Sequence, residues 1–190
     1  MTDPDLVNQN TLDTILKEYP EDFKMLHKAE FYSPNRLKGY LKTSPDWGYS
    51  GDRASPVNHF TAGEAVFSHN QMSYILLTCM AERGLLENVH PLPLDVMNQK
   101  KFNGLLITEI GMTFSKPFLS SEEYTCEFNI ESSLVKQTRS GIYLFLHSTF
   151  DFENGKSQGY SKGVLKLEEH EIIDKNRLAI SRKLQAQDDG

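Results

Sequence analysis

Side chains that can act on a polarised carbonyl concentrate in one helical pattern of this sequence. Asn70 interrupts a stripe of Val, Phe, Tyr and Leu residues that recurs at helical spacing. An amide on an apolar face must be hydrogen-bonded, because burying it unpaired is costly. Its partner is either the backbone of a neighbouring strand or, at the polar end of an apolar pocket, water and the carbonyl of a substrate. The second alternative makes Asn70 a candidate catalytic residue.

Three titratable side chains accompany Asn70 in the sequence. Glu64 falls in the first turn of the same pattern, where the helix dipole favours a carboxylate even without a catalytic role. Its net rotation from Asn70 is roughly 240° around the helix, so the two need not share one site. His59 and His69 can each act as a general base near neutral pH, although a lone histidine is more often a structural hydrogen-bonding residue.

Other chemistries lack their sequence signatures. No cluster of His, Asp, Glu or Cys has metal-ligand spacing, so we expect neither a metal nor another cofactor. The G-x-S-x-G elbow is absent, which argues against an α/β-hydrolase. Cys79 and Cys126 fit no disulfide framework, so we expect reduced thiols and a cytoplasmic location.

Composition narrows the class of partner. The 190 residues carry 20 Lys and Arg against 26 Asp and Glu, a net charge of −6, and without a basic cluster we expect no nucleic-acid partner. No stretch approaches about 18 uninterrupted apolar residues and the first residues form no apolar signal segment, so we expect neither a membrane span nor secretion. The length suits one domain, 1–190, with its core at about residues 11–168 and flexible residues 1–10 and 185–190.

Hydrophobic periodicity predicts the helices that position these residues. Residues 61–83 form the longest helical pattern, followed by Gly84 at the expected C-cap. Residues 11–19 predict a short amphipathic helix with an N-cap at Asn10-Thr11, and residues 22–28 a second helical piece. The apolar stripe of the long helix contains Val66, Phe67, Asn70, Tyr74, Leu77 and Met80, and another stripe contains Glu64, Ser68, Gln71, Thr78 and Glu82.

Strand-like runs complete the pattern. They predict about five strands, at residues 36–42, 105–114, 124–136, 142–153 and 158–168. Asn154-Gly155 predicts a tight hairpin between the last two. One long helix with such a meander indicates an α+β domain whose antiparallel sheet wraps around the central helix, the layout of the hotdog fold. Because this arrangement leaves a sheet edge open, we expect a homodimer or higher homo-oligomer.

Three stretches resemble a known family. The run HFTAGE at residues 59–64, followed by NQMSY at 70–74, resembles the central-helix signature of the FcoT-like fatty acyl thioesterases, which are hotdog proteins. FSKPF at residues 114–118 resembles that family's strand-ending F-x-K-P, and FENG at 152–155 its last hairpin. The similarity covers roughly residues 19–168, but the loop before His59 differs in length from the family pattern.

The resemblance implies a substrate and a set of site residues. The substrate would be a fatty acyl thioester of coenzyme A or of an acyl carrier protein. Asn70 and Tyr49, and more loosely Tyr19, match residues around the family's site, with plain packing as the alternative for both tyrosines. His59 lies in the motif, and many hotdog thioesterases place an acidic residue such as Glu64 on this helix. We expect substrate contacts from four further residues of these stretches: Gly63, Phe67, Tyr74 and Lys116.

The reaction stays open at this stage. Hydrolysis of the thioester is the first hypothesis, with backbone amides at the start of the long helix stabilising the oxyanion. Addition of glycine to an enoyl group on a carrier protein, which proteins resembling this family perform in isonitrile lipopeptide biosynthesis, is the second. A non-catalytic acyl-binding module is the third. For a carrier protein, Lys100, Lys101 and Lys116 are the candidate docking residues.

Overall fold

The computed structural model describes residues 4–32, 34–44, 59–176 and 178, and within them the chain forms three α-helices and seven β-strands. The helices are α1 (Gln9–Leu16), α2 (Ala62–Glu82) and α3 (Leu94–Asn103). The strands are β1 (Asp5–Leu6), β2 (Leu26–Tyr32), β3 (Arg36–Leu41), β4 (Leu105–Phe114), β5 (Tyr124–Thr138), β6 (Gly141–Phe152) and β7 (Ser157–Leu167). Single 3₁₀ turns lie at Glu21–Phe23 and Glu169–Glu171.

All seven strands belong to one antiparallel sheet in the order β1-β2-β3-β5-β6-β7-β4. The β6–β7 hairpin turns at Glu153, Asn154 and Gly155, whose φ angles of 50°, 52° and 88° are left-handed, so the predicted Asn-Gly turn is confirmed. Strand β4 crosses over to pair with β7 and forms one edge of the sheet.

Helix α2 packs on the face of the sheet where β2, β3 and β5 lie. Its residues Met72, Ile75 and Leu76 are fully buried. At Gly39 in β3 a Cβ would meet the thioether of Met72 and the end of the Leu26 side chain, so a larger residue requires these side chains to shift. The long helix therefore lies directly on the strands that carry the core.

Two elements differ from the sequence expectations. Residues 22–28 were expected to be helical, but the chain makes only the 3₁₀ turn and then enters β2, whose pairing with β3 slips between Leu26 and Lys28. That irregularity breaks the alternation by which a strand is recognised. Helix α3 was not predicted because Pro91 and Pro93 indicated a loop, whereas Pro93 is the N-cap residue of the helix. With β1 and β2 the sheet has seven strands rather than about five.

Most of the polar stripe of α2 is buried, and the first part of its apolar stripe is only half-buried. Its polar residues Glu64, Ser68, Gln71 and Thr78 are no more than 3% exposed, whereas the apolar stripe is only half-buried at Val66, Phe67, Asn70 and Tyr74. Each buried polar side chain has hydrogen-bond partners, which removes the penalty for burial. The half-buried flank is therefore accessible to a ligand or to another chain.

α1 also begins and ends earlier than expected. Asn8 is its N-cap, with Oδ1 accepting a hydrogen bond from the amide of Asn10 at 2.8 Å, and its last residue is Leu16 rather than residue 19. Tyr19 consequently lies in the turn that follows the helix.

Candidate functional site

A capping box fixes the start of α2. The Thr61 hydroxyl accepts a hydrogen bond from the Glu64 amide at 3.3 Å, and the Glu64 carboxylate accepts one from the Thr61 amide at 2.6 Å. Glu64 is 3% exposed. Burial raises the pKa of Tyr124, and the charge of Glu64 raises it further, which indicates that the two side chains lie near each other. The structure thus places Glu64 in a structural role at the helix start, and its catalytic role stays a prediction.

The three motif stretches meet around Phe60. Its amide donates to the carbonyl of Phe118 at 2.9 Å, and the two rings stack with centroids 4.5 Å apart. Phe152, from the last hairpin, packs against Phe60 at 4.9 Å, and the carbonyl of Lys156 accepts hydrogen bonds from the amides of Ser115 and Lys116. Residues that lie far apart in the chain thus surround the N-terminal end of α2.

A groove of about 490 Å³ opens at this end of the helix. It is lined by residues 59–62 and 114–118, which include the predicted site residues His59 and Lys116. Both side chains are exposed, as is Gly63 in the first turn of α2. Aromatic walls with an imidazole and an ammonium group suit a ligand that has an apolar arm and an anionic end.

Four predicted residues gather on the half-buried flank of α2. Phe67, Asn70 and Tyr74 follow one another at spacings of three and four residues, so they share one face. Tyr19 joins them: burial raises its pKa, and the electrostatic effect of Tyr74 raises it further, which places the two phenols close together. Burial also raises the pKa of Tyr74. Phe67 packs on Phe23, with ring centroids 5.3 Å apart.

Asn70 touches a buried polar chain that leads into the sheet. Its Oδ1 lies 3.3 Å from Nδ1 of His69, and Nε2 of His69 lies 2.7 Å from Oγ of Ser161. The Ser161 hydroxyl lies 2.6 Å from that of Ser148, its partner on the neighbouring strand. Phe128 and Phe150 hold the imidazole edge-on at centroid distances of 5.2 and 5.1 Å. Burial lowers the pKa of His69 to about 4, so the ring is neutral at pH 7.

A narrow apolar crevice begins beside this chain. His69, Ser73, Ser148 and Ser161 form its polar part, and its apolar walls are Leu77, Leu105, Ile107, Phe128, Ile130 and Leu146. Its volume of about 20 Å³ holds little more than one water molecule. A fatty acyl chain would enter only if these walls move apart.

The site residues predicted from sequence fall into two groups. Asn70 lies eight residues from the start of α2, which is about 12 Å along the helix axis at roughly 1.5 Å per residue. His59, Gly63 and Lys116 belong to the helix start, whereas Tyr19, Phe67 and Tyr74 belong with Asn70. The helix-start amides and the Asn70 amide of one chain are therefore too far apart to bind the same oxygen atom. Tyr49 lies outside the described residues.

Other functional candidates were missed by sequence reasoning. Ser148 and Ser161 are directly opposite on β6 and β7 and no more than 5% exposed, so the available signal was two serines at buried positions of alternating strands. For His69, which does not match the family motif, the sequence left a general base and a structural hydrogen-bonding residue as alternatives. Gln71 fixes the start of β2: its Oε1 accepts from the amides of Met25 and Leu26, both at 3.0 Å.

Two of the three proposed docking lysines are engaged elsewhere. Lys101 is 3% exposed and donates to the carbonyl of Ile15 at 2.5 Å, which caps the C-terminal end of α1. Lys100 pairs with Glu171 at 2.9 Å and donates to the carbonyl of Lys166. The expectation of a basic patch at these two positions is therefore wrong, and Lys116 alone among the three is exposed.

The described residues carry neither of two further signatures. Among the described residues, no group of three His, Cys, Asp or Glu side chains is arranged to hold a metal ion. No described helix is long and apolar enough to cross a membrane. Cys79 and Cys126 are free and buried, and burial raises the pKa of Cys79 to about 11.

The fold, an antiparallel sheet with the long helix α2 packed on one face, is that of a hotdog protein. The model of the FcoT-like thioesterase domain matches residues 14–168, so the chain belongs to that family, and the resemblance drawn from the three motif stretches is confirmed. A search of curated proteins finds no significant match. Family membership supports the processing of acyl thioesters.

Solved structures agree on the fold. A putative thioesterase from Shewanella oneidensis is 9% identical with a TM-score of 0.51, covering 83% of this chain and 96% of that one. Thioesterase superfamily member 2 from zebra fish is 13% identical with a TM-score of 0.48, covering 83% of this chain and 94% of that one. The mouse protein of the same name is 12% identical with a TM-score of 0.49, covering 84% and 94% of the two chains. Of these three, the Shewanella structure exceeds a TM-score of 0.5, and the fold assignment rests on it.

Proposed function

We propose that this protein hydrolyses a fatty acyl thioester of coenzyme A or of an acyl carrier protein, with Asn70 at the reacting carbonyl. The observation that carries the proposal is the position of Asn70. Its amide is anchored on one side by His69 and lies on a half-buried face with Tyr19 and Tyr74. This arrangement presents hydrogen-bond donors at the edge of an apolar interior.

Polarisation of the carbonyl is the chemistry that these residues can supply. Because burial raises the pKa of both tyrosines, their hydroxyls stay protonated at neutral pH and can donate. The Asn70 amide and a tyrosine hydroxyl would stabilise the oxyanion formed when water adds to the thioester carbon. Collapse of this intermediate breaks the carbon–sulfur bond, and the thiol and the carboxylic acid take up the two hydrogens of the water. Glu64 is given no part in these steps, because its contacts among the described residues are those of a helix cap.

We propose that the groove at the start of α2 holds the pantetheine arm. The arm is longer than the roughly 12 Å that separates this groove from Asn70 along the helix. Lys116 and His59 would face its phosphate end, and Phe114 and Phe118 its apolar stretches. This assigns the two groups of predicted residues to two ends of one substrate.

The acyl chain would enter the crevice next to Asn70. Ser73 and Leu77 lie three and seven residues after Asn70, so the crevice opens along the same side of the helix. Its mouth includes Ile107, which is 39% exposed on β4. Opening the crevice requires the side chains between α2 and β4 to separate.

A second copy of the chain would complete the molecule. Strand β4 lies at an edge of the sheet and exposes Leu106, Ile107 and Phe114 at 60%, 39% and 44%. An exposed edge with apolar side chains is a ready template for another strand, so we propose a homodimer through β4.

The substrate class is tested by mass spectrometry. The protein is incubated separately with acyl-CoA, with acyl carrier protein loaded with the same chain, and with enoyl carrier protein plus glycine. Release of fatty acid in either of the first two samples supports hydrolysis. A product heavier by one glycine would show that the reaction is glycine addition and not hydrolysis. Tight binding without any product would indicate an acyl-binding module.

A further inference from the structure

The buried chain beside Asn70 has a direction set by its atoms. A carbonyl oxygen can only accept, so Oδ1 of Asn70 facing Nδ1 of His69 requires the proton on Nδ1. A neutral imidazole has one donor, which leaves Nε2 to accept from the Ser161 hydroxyl at 2.7 Å. The Ser161 oxygen then accepts from Ser148 at 2.6 Å. Each hydrogen bond of this chain is therefore donated in the direction of Asn70, from Ser148 to Ser161, from Ser161 to His69 and from His69 to Asn70.

The reverse arrangement is less favourable. If Nε2 carried the proton, the Ser161 hydroxyl would donate to Ser148. Among the described residues, the acceptor then left for the Ser148 hydrogen is the Ser161 carbonyl at 3.5 Å. That distance is beyond a normal O–H···O bond, whereas 2.6 Å is within it. The Asn70 amide would also have to turn over and present its carbonyl outward.

We propose that His69 is a positioning residue, which, held in its Nδ1–H tautomer by Ser161 and Ser148, keeps the NH₂ group of Asn70 directed at the substrate carbonyl. The inference rests on the proposed role of Asn70 in thioester chemistry. The tautomer decides whether Asn70 offers a donor or an acceptor, and only a donor stabilises an oxyanion. His69 itself is 1% exposed behind Asn70, and in this proposal it acts by orienting the amide.

The contacts of the His69 imidazole restrict its orientation. Phe128 and Phe150 flank it edge-on, and Ser161 and Asn70 occupy its two nitrogens. Among the described groups that contact it, none carries a charge. Ser161 on β7 is thus linked to Asn70 through the imidazole.

The tautomer is measured directly by two-bond ¹H–¹⁵N NMR on protein with ¹⁵N-labelled histidine. We expect Nδ1 of His69 to show the shift of a protonated nitrogen and Nε2 that of an unprotonated one at pH 7. His69→Gln assigns the signals by their loss. If that variant does not fold, Ser161→Ala assigns them by the change it causes. A protonated Nε2 in the wild type would overturn the inference, and this measurement needs no turnover.

Kinetics test whether the chain acts through Asn70. Ser161→Ala should lower kcat about tenfold with little change in KM, as for other residues that fix a tautomer or orient a catalytic group. Ser161→Thr, which keeps the hydroxyl, should restore kcat. In an Asn70→Ala background Ser161→Ala should cause no further loss, because its effect passes through the amide.

Ser68→Ala is the matched control. Ser68 is a fully buried serine on α2, one residue before His69, but its hydroxyl contacts Tyr124 at 2.9 Å and not this chain. It should keep the wild-type kcat. Equal losses in Ser68→Ala and Ser161→Ala, or a full further loss in the Asn70→Ala background, would refute the positioning role. Absence of turnover in the wild type would refute the proposed function alone, since the NMR result still decides the tautomer.

Discussion

The carboxylate of Glu64 accepts a hydrogen bond from the backbone amide of Thr61 at 2.6 Å, and this contact closes the capping box of α2. This acidic residue of the central helix therefore stabilises the start of the helix. Glu64 follows three residues after Thr61, which lines the groove, so substitutions can test its carboxylate for a second role.

Glu64→Gln separates the two roles. Glutamine can still accept from the Thr61 amide, so we expect a loss of less than about 1 kcal/mol in the free energy of unfolding and a kcat within twofold of wild type. Glu64→Ala, which removes the hydrogen bond from the Thr61 amide, should cost about 0.5–1.5 kcal/mol in urea denaturation. A loss of kcat by more than about a hundredfold in Glu64→Gln would instead show that the carboxylate is the general base.

Ile107→Ala probes the acyl crevice. The residue lines the crevice and is 39% exposed, so its truncation should widen the mouth with a small effect on stability. We expect kcat/KM to shift toward longer acyl chains in a series of acyl-CoA substrates, because each further buried CH₂ contributes about 0.8 kcal/mol. Leu106→Ala, the neighbour on the same strand that does not line the crevice, should keep the wild-type order. Parallel shifts in both variants would place the acyl chain elsewhere.

His69 should also control stability in acid. Its folded pKa of about 4 lies below the ordinary value of 6.5, so its contribution is fully present above pH 6.5 and is lost as the pH falls toward 4. The difference corresponds to roughly 3 kcal/mol in the free energy of unfolding. Urea denaturation between pH 4 and 7 should show this slope in the wild type and in His90→Gln, an exposed control, but not in His69→Gln. The same slope in all three proteins would assign it to other groups.

The exposed edge predicts the oligomeric state. We expect the wild type to sediment as a homodimer and Leu106→Glu on β4 to shift it toward monomer, because a carboxylate would be buried at the new interface. Leu134→Glu is the control: Leu134 is 49% exposed on β5, away from the edge. A monomeric wild type would contradict the edge pairing, and dissociation by Leu134→Glu alone would move the interface to the open face of the sheet.

Regular periodicity explains how much of the fold was predictable. α2 and β4 through β7 have strong patterns, and their bounds agree with the sequence to within a few residues. β2 was missed because its slipped pairing breaks the alternation, and α3 because Pro93, which begins it, also indicates a loop. Local patterns carry no information about such tertiary choices.

The sequence named candidate site residues, and their roles stay predictions, but it did not show how these residues are arranged. The motif identified Asn70 and its neighbours, yet no spacing rule showed that α2 would bury Ser68 and Gln71 and leave Phe67 and Tyr74 half-exposed. That orientation depends on partners such as Tyr124, which lie far away in the sequence. The serine pair behind His69 depends likewise on the register of two strands.

The rate of thioester hydrolysis by Asn70→Ala, compared with that of the wild type, decides whether Asn70 acts at the reacting carbonyl. Fatty acid released from acyl-CoA is quantified by mass spectrometry under single-turnover conditions, with circular dichroism and sedimentation to confirm that the variant folds and assembles. We predict a loss of about a hundredfold or more in the rate constant, the usual effect of removing an oxyanion donor. A folded, assembled Asn70→Ala protein with the wild-type rate would contradict the assignment of Asn70 to the reacting carbonyl.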